Sequence, residues 1–120
     1  MNSTYKQKSG ANSGIIIEWA PFELLEGTEE TLLLAASAVL QSDFLDKQEG
    51  FIKRELLKGN GNHWVDMVYW QNRESAERAM ENVASSPACL AYFKLMAETD
   101  HNDLHADVSH FISKCVYGTS

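Results

Sequence analysis

The sequence predicts an α+β fold in the order β-α-β-β-α-β: a four-stranded antiparallel sheet with helices on one face. Three observations predict it. A Gly59-Asn60-Gly61 turn joins two strand-like runs, and each pair of strands is flanked by residues at helical spacing. The 120 residues are 44% hydrophobic and 22% charged, enough for one core and far from a disordered composition. Right-handed crossovers then place the first and third strands in the middle, which is the ferredoxin-like arrangement. Residues 1–13, rich in Asn, Ser, Gly, Lys and Gln, are expected to be a disordered tail, and 14–120 a single domain.

The first strand is expected from Gly14 to Ala20, because Ile15-Ile16-Ile17 is β-branched and Pro21 follows. The first helix is expected to start at Thr28 with a hydroxyl cap and two acids, Glu29 and Glu30, at its positive end. Leu33, Ala36, Leu40 and Phe44 form its inward line, widened by Leu32, Ala35 and Val39, and it fades near Asp46. Gly50–Lys58 and His63–Trp70 form the hairpin strands. Asn72 caps a helix over Arg73–Val83 with Ala76, Ala79, Met80 and Val83 inward. Ser86-Pro87 starts a third helix, with Leu90, Phe93 and Ala97 in line and Cys89, Tyr92 and Met96 beside them. Thr99–Asp107 reads as a polar loop, and alternation from Ala106 towards Tyr117 marks the last strand.

Seventeen acids against ten bases give a formal charge of −7, which argues against nucleic acid or an anionic membrane as partner. Cys89 and Cys115 stand far apart without zinc spacing, as expected of two reduced thiols in a cytoplasmic protein. Met1–Gly14 has no apolar core of a secretory signal, and apolar runs such as Leu32–Ala36 are too short to span a bilayer.

With a turn centred on Asn60, Arg54 faces Asp66, Ile52 faces Val68 and Leu56 faces Trp64. A two-residue Asn60-Gly61 turn would instead oppose two acids, Glu55 and Asp66. The first register gathers Trp64, Val68 and Trp70 on one face. That face is expected to be the uncovered one, hence a homodimer through the sheet with the Arg54–Asp66 pair in its apolar surround.

Gly50-Phe51, the turn, Val68-Tyr69-Trp70, the Asn72–Ala76 helix start and Ser86-Pro87 together resemble the antibiotic biosynthesis monooxygenase-like family of dimeric α+β barrel proteins, over roughly residues 14–117. The resemblance implies a homodimer in which two sheets pack into a barrel, and a cavity between helices and sheet in each protomer. It also implies oxygenase activity on quinol-type substrates without metal or flavin, so no cofactor is expected. A haem-degrading relative would carry a histidine ligand on the helix after the third strand. Arg73–Ala97 contains none, which excludes that branch. The family's Asn/Trp/Tyr constellation points to Asn62, Trp64 and Tyr69 as groups of suitable chemistry.

His110, between Val108 and Ile112, is a candidate general base, although a hydrogen-bonded structural histidine is the commoner outcome. Tyr69 is the second catalytic candidate. Arg54, Trp64, Asp66 and Trp70 are the candidate ligand-binding residues, against the plainer reading of core and interface packing. Trp64 and Trp70 share a face with Tyr69 opposite, so the three cannot line one cavity. His63 is expected in solvent, and His101 and His105 in a loop where a metal pair is not expected. Glu18, inside an apolar strand, needs a partner or a function. No hydrolase triad, P-loop or dinucleotide fingerprint occurs. Two functions follow: a homodimeric cofactor-independent monooxygenase acting on an aromatic molecule, or a non-catalytic ligand-binding or structural dimer of the same fold. An open helix–sheet space lined by Arg, His or Tyr favours the first. One filled by Leu33, Leu40, Met80 and Phe93 favours the second.

Overall fold

A computed structural model describes residues 14–98 and 108–118. The expected tail, the loop carrying His101 and His105, and the expected start of the last strand at Ala106 lie outside the described residues. The elements are β1 (Ile16–Glu23), α1 (Glu30–Asp43), a 3₁₀ turn (Leu45–Lys47), β2 (Phe51–Lys58), β3 (His63–Trp70), α2 (Arg73–Val83), α3 (Pro87–Phe93) and β4 (Ser109–Ile112). The four antiparallel strands lie in the order β2-β3-β1-β4, with β1 and β3 central as the element order requires.

Local chemistry explains most boundaries. The Asn72 side chain accepts from the Ser75 N–H at 2.8 Å, and the Ser86 hydroxyl accepts from the Cys89 N–H at 3.2 Å, so both expected caps form. Gly50 opens β2 at φ +87°, and a Cβ there would run into Ser75 Oγ, so only glycine suits the position. Three boundaries differ from expectation. β4 ends at Ile112 rather than near Tyr117. β1 continues through Pro21 to Glu23. Among the described residues, β4 pairs with Ile16–Trp19 and Pro21 pairs with β3 alone, an edge-like site where a missing N–H is tolerated. The cap residue of α1 is Glu29 rather than Thr28, without a side-chain bond.

The hairpin register is shifted two residues from the expected one, and the two-residue turn is not formed either. Arg54 faces Val68, Leu56 faces Asp66 and Lys58 faces Trp64, because the Gly59 N–H bonds the His63 carbonyl across an Asn60–Asn62 loop with Gly61 at φ +59°. A shift of two preserves strand parity, so Arg54 and Asp66 still share a face.

That face is not the uncovered one. Trp64, Asp66, Val68 and Trp70 are buried beneath the helices together with Ile16, Leu33, Leu40, Phe44, Ala76, Ala79 and Tyr92. The expectation that Trp64, Val68 and Trp70 form a dimer face is therefore corrected, and the Arg54–Asp66 pair lies inside the protomer. Fully burying a side chain such as Leu33 contributes about 1.5–3 kcal/mol, and the helices supply the cover. The opposite face, which carries Ile17, Trp19, Val65, Met67, Tyr69 and Phe111, has no cover among the described residues. On α1 the buried line is Leu33, Ser37 and Leu40, while Leu32, Ala35 and Val39 are exposed. On α3, Cys89 and Tyr92 point inward and Leu90 outward.

Candidate functional site

Between the helices and the inner sheet face lies a cavity of about 720 Å³. Its apolar walls include Leu40, Phe44, Val68, Met80, Val83 and Phe93; its polar lining includes Glu18, Arg54, Asp66, Trp70 and Tyr92. A volume of this order suits a single small organic molecule. Of the four residues expected to fill an inert core, Leu40, Met80 and Phe93 form walls around open space, while Leu33 is fully buried and does not line it.

The strongest polar feature is a buried cluster linking β2, β3, α1 and α3. Arg54 Nε donates to Asp66 Oδ1 at 2.7 Å, and the two side chains are only 6% and 11% exposed. Arg54 Nη1 donates to the Ser37 carbonyl at 3.2 Å and Nη2 to the Tyr92 hydroxyl at 3.1 Å. The Tyr92 hydroxyl in turn donates to Asp66 Oδ2 at 2.7 Å. Both Asp66 oxygens thus act as acceptors, the arrangement of an ionised carboxylate. Burial disfavours the Arg54 charge, but Asp66 and then Tyr92 outweigh it and hold its pKa above the ordinary arginine value. Burial pushes the Asp66 carboxyl up, opposed by Arg54. Burial and then the Asp66 charge push the Tyr92 phenol well above its ordinary value. Burial likewise raises the Cys89 thiol, which makes it a poor nucleophile.

A second polar group lies on β1. Glu18 Oε1 accepts from Trp70 Nε1 at 3.1 Å and stands 3.8 Å from His110 Nε2, with both side chains 17% exposed. His110 Nε2 is buried and has no hydrogen-bond partner among the described residues. The strand carboxylate that needed a partner therefore has an indole donor and a neighbouring imidazole.

Arg54, Trp64, Asp66 and Trp70, the four expected ligand-binding residues, all line the cavity. His110 stands behind Glu18 on the same sheet face. Tyr69 does not join them: alternation along β3 turns it to the opposite face, where Lys53 Nζ lies 4.6 Å from its ring centroid. His63 is exposed at the cavity rim, 3.5 Å from Glu23. Sequence reasoning missed Tyr92 as a polar partner and the Ser37 carbonyl. The usable signal for Tyr92 was its position beside the inward line of α3, since a buried tyrosine needs a partner for its hydroxyl. Among the described residues, no group of three or more His, Cys, Asp or Glu is placed to hold a metal ion.

No family profile matches the chain, and no curated protein does. Solved structures do. SnoaB from Streptomyces nogalater, a cofactor-independent oxygenase, matches with TM-score 0.67 at 16% identity, over 87% of this chain and 97% of that one. A candidate antibiotic biosynthesis monooxygenase from Bordetella bronchiseptica matches with TM-score 0.62 at 18% identity, over 85% and 99%. One from Chloroflexus aurantiacus matches with TM-score 0.56 at 12% identity, over 87% and 97%. The chain has the antibiotic biosynthesis monooxygenase-like fold. At such identities the likeness is one of fold, and the chemistry rests on this chain's own side chains. No helix among the described residues is long and apolar enough to cross a membrane.

Proposed function

We propose that this protein is a cytoplasmic homodimer that binds one aromatic or quinol-type molecule in each helix–sheet cavity and oxidises it with dioxygen, using no metal or flavin. The observation that carries this reading is the open 720 Å³ cavity with buried charged groups in its wall. An inert core would close such a space over apolar side chains. The name of SnoaB, a cofactor-independent oxygenase, supports the reaction class.

The chemistry follows from the substrate. An activated ring methylene loses a proton to leave a delocalised anion, which passes one electron to dioxygen. The radical pair combines into a hydroperoxide, and loss of water leaves a carbonyl. Carbon gives up four electrons to one dioxygen, with one oxygen atom retained and the other leaving in water. The chain's part is to hold a flat ring against Trp64, Trp70 and Phe93, exclude water and accept the proton. We assign the base to the Glu18–His110 pair, with the unpartnered His110 Nε2 taking the proton through Glu18. The Arg54–Asp66–Tyr92 cluster fixes the polar wall.

The dimer is proposed through the outer sheet face, whose apolar centre of Ile17, Trp19, Val65, Met67 and Phe111 has no cover among the described residues. The free thiols Cys89 and Cys115 suit the cytoplasm. One observation favours a second reading, a non-catalytic ligand-binding dimer: Arg54, Asp66 and Tyr92 saturate one another's hydrogen bonds. Oxygen uptake with a panel of hydroquinones and anthrones on metal-stripped protein separates the two. Uptake that His110→Gln abolishes supports the oxygenase; binding without uptake leaves the carrier.

A further inference from the structure

Two carboxyl groups of the inner sheet face, Glu18 and Asp66, line the cavity, and their surroundings differ. Asp66 has both oxygens occupied, by Arg54 and by Tyr92, and its charge is balanced by the guanidinium. Glu18 accepts on Oε1 from Trp70, while Oε2 has no hydrogen-bond partner among the described residues. No lysine or arginine forms an ion pair with Glu18 among the described residues, and the nearest basic group is the His110 imidazole at 3.8 Å. The remaining charged lining groups are Glu23, paired with His63 at the rim, and Glu98. Once the Arg54–Asp66 and His63–Glu23 pairs are set aside, the charged lining groups among the described residues are acids, Glu18 and Glu98. An anionic ligand entering this space would meet repulsion from Glu18 and find no unpaired Lys or Arg among the described lining residues. A neutral ligand with a hydroxyl group would find an oriented acceptor.

The orientation comes from the fold. Glu18 sits on β1, paired on both sides: Val68 of β3 faces it across one ladder and His110 of β4 across the other. The Trp70 indole fixes Oε1, leaving Oε2 as the oxygen available to a ligand. We propose that Glu18 is the specificity-determining contact of this cavity: it accepts a hydrogen bond from the hydroxyl of a neutral phenol-type ligand and rejects aromatic carboxylates and other anions. This rests on the reading that the cavity holds an aromatic molecule, and it adds which protonation state and which functional group the molecule presents.

Calorimetric titration with 4-nitrophenol, 4-nitrobenzoate and 4-nitroanisole, at a slightly acidic pH where the phenol is neutral and the benzoate an anion, tests it. The three share a ring and differ in the group offered to Glu18. The wild-type protein is expected to bind the phenol about tenfold or more tightly than either of the others, as a hydrogen bond to a charged acceptor requires. Glu18→Gln keeps an oxygen for the Trp70 N–H and removes the charge, so it should erase most of the preference and strengthen benzoate binding. An unchanged urea midpoint shows that the variant still folds. His110→Gln, which leaves the Glu18 carboxylate in place, should retain the preference. Benzoate binding as tightly as the phenol, or a preference that survives Glu18→Gln, overturns the assignment of Glu18 while the aromatic cavity stands. Failure of all three probes to bind removes the aromatic reading itself, and the assignment with it.

Discussion

Asp66→Ala isolates the buried charge cluster. It removes the carboxylate paired with Arg54, whose side chain is 6% exposed and is otherwise held by the Ser37 carbonyl and the Tyr92 hydroxyl. Two hydrogen bonds of 2.7 Å disappear together, the Nε bond of Arg54 and the hydroxyl bond of Tyr92. Breaking a buried pair on one side costs about 3–5 kcal/mol, because an uncompensated charge remains. That is a large share of the roughly 5–15 kcal/mol that stabilises an ordinary domain. Asp66→Asn keeps one acceptor oxygen and should cost less.

The cost belongs to the orphaned charge rather than to any large net value of the pair. Arg54→Met, Asp66→Leu and Tyr92→Phe combined should therefore recover to within about 1–2 kcal/mol of the wild type, since apolar groups of similar volume replace buried pairs at little cost. Urea unfolding followed by tryptophan fluorescence and far-ultraviolet circular dichroism measures all three variants beside the wild type. A loss below about 1 kcal/mol for Asp66→Ala, or a triple variant as weak as the single one, refutes the reasoning.

Three further outcomes are expected. Tyr92 should stay protonated through alkaline pH, so Tyr92→Phe should leave the alkaline absorbance rise of the folded protein at 295 nm unchanged, and a smaller rise in the variant would show that Tyr92 ionises. The sign follows from its raised pKa: the folded state holds the proton more tightly, so this stability is complete below the unfolded phenol value near 10 and is lost as pH rises above it. Gly50→Ala should cost at least about 1–3 kcal/mol from the positive φ alone, and adding Ser75→Gly should recover only the part due to the Ser75 Oγ clash, as read from urea midpoints. Trp19→Glu with Phe111→Glu should turn the proposed dimer into a monomer in sedimentation while leaving cavity binding unchanged; a variant that stays dimeric places the interface elsewhere.

The element order was legible because each run keeps one periodicity, two for β3 and near 3.6 for α2, and because Asn72 and Ser86 announce their helices. The hairpin register was not, since Gly59-Asn60-Gly61 is compatible with several turns. The pairing of Arg54 with Asp66 survived because side chains alternate with period two. The first helix misled for a different reason: Leu32, Leu33 and Leu34 are consecutive, so an apolar stripe can be drawn on more than one face, and only contact with the sheet selects Leu33. In the site, Arg54 and Asp66 were visible as charges within apolar strands. Tyr92 was not, because its role comes from a partner 26 residues away.

The hardest question for the sequence was which face of β3 the helices cover, and its answer organises the function. Both parities of the strand are rich in large apolar groups, Trp64, Val68 and Trp70 on one side and Val65, Met67 and Tyr69 on the other. Composition therefore cannot choose between them. Asp66 can, because a buried carboxylate needs a donor. Within the described residues that donor is Arg54 on the neighbouring strand, joined by the Tyr92 hydroxyl from α3. The acid thus fixes its own parity beneath the helices, and Trp64, Val68 and Trp70 follow it there. The other parity, lacking any buried charge, is left to the outer face. Substitutions at even positions of β3 should then act first on the cavity. Those at Val65, Met67 and Tyr69 should act first on assembly.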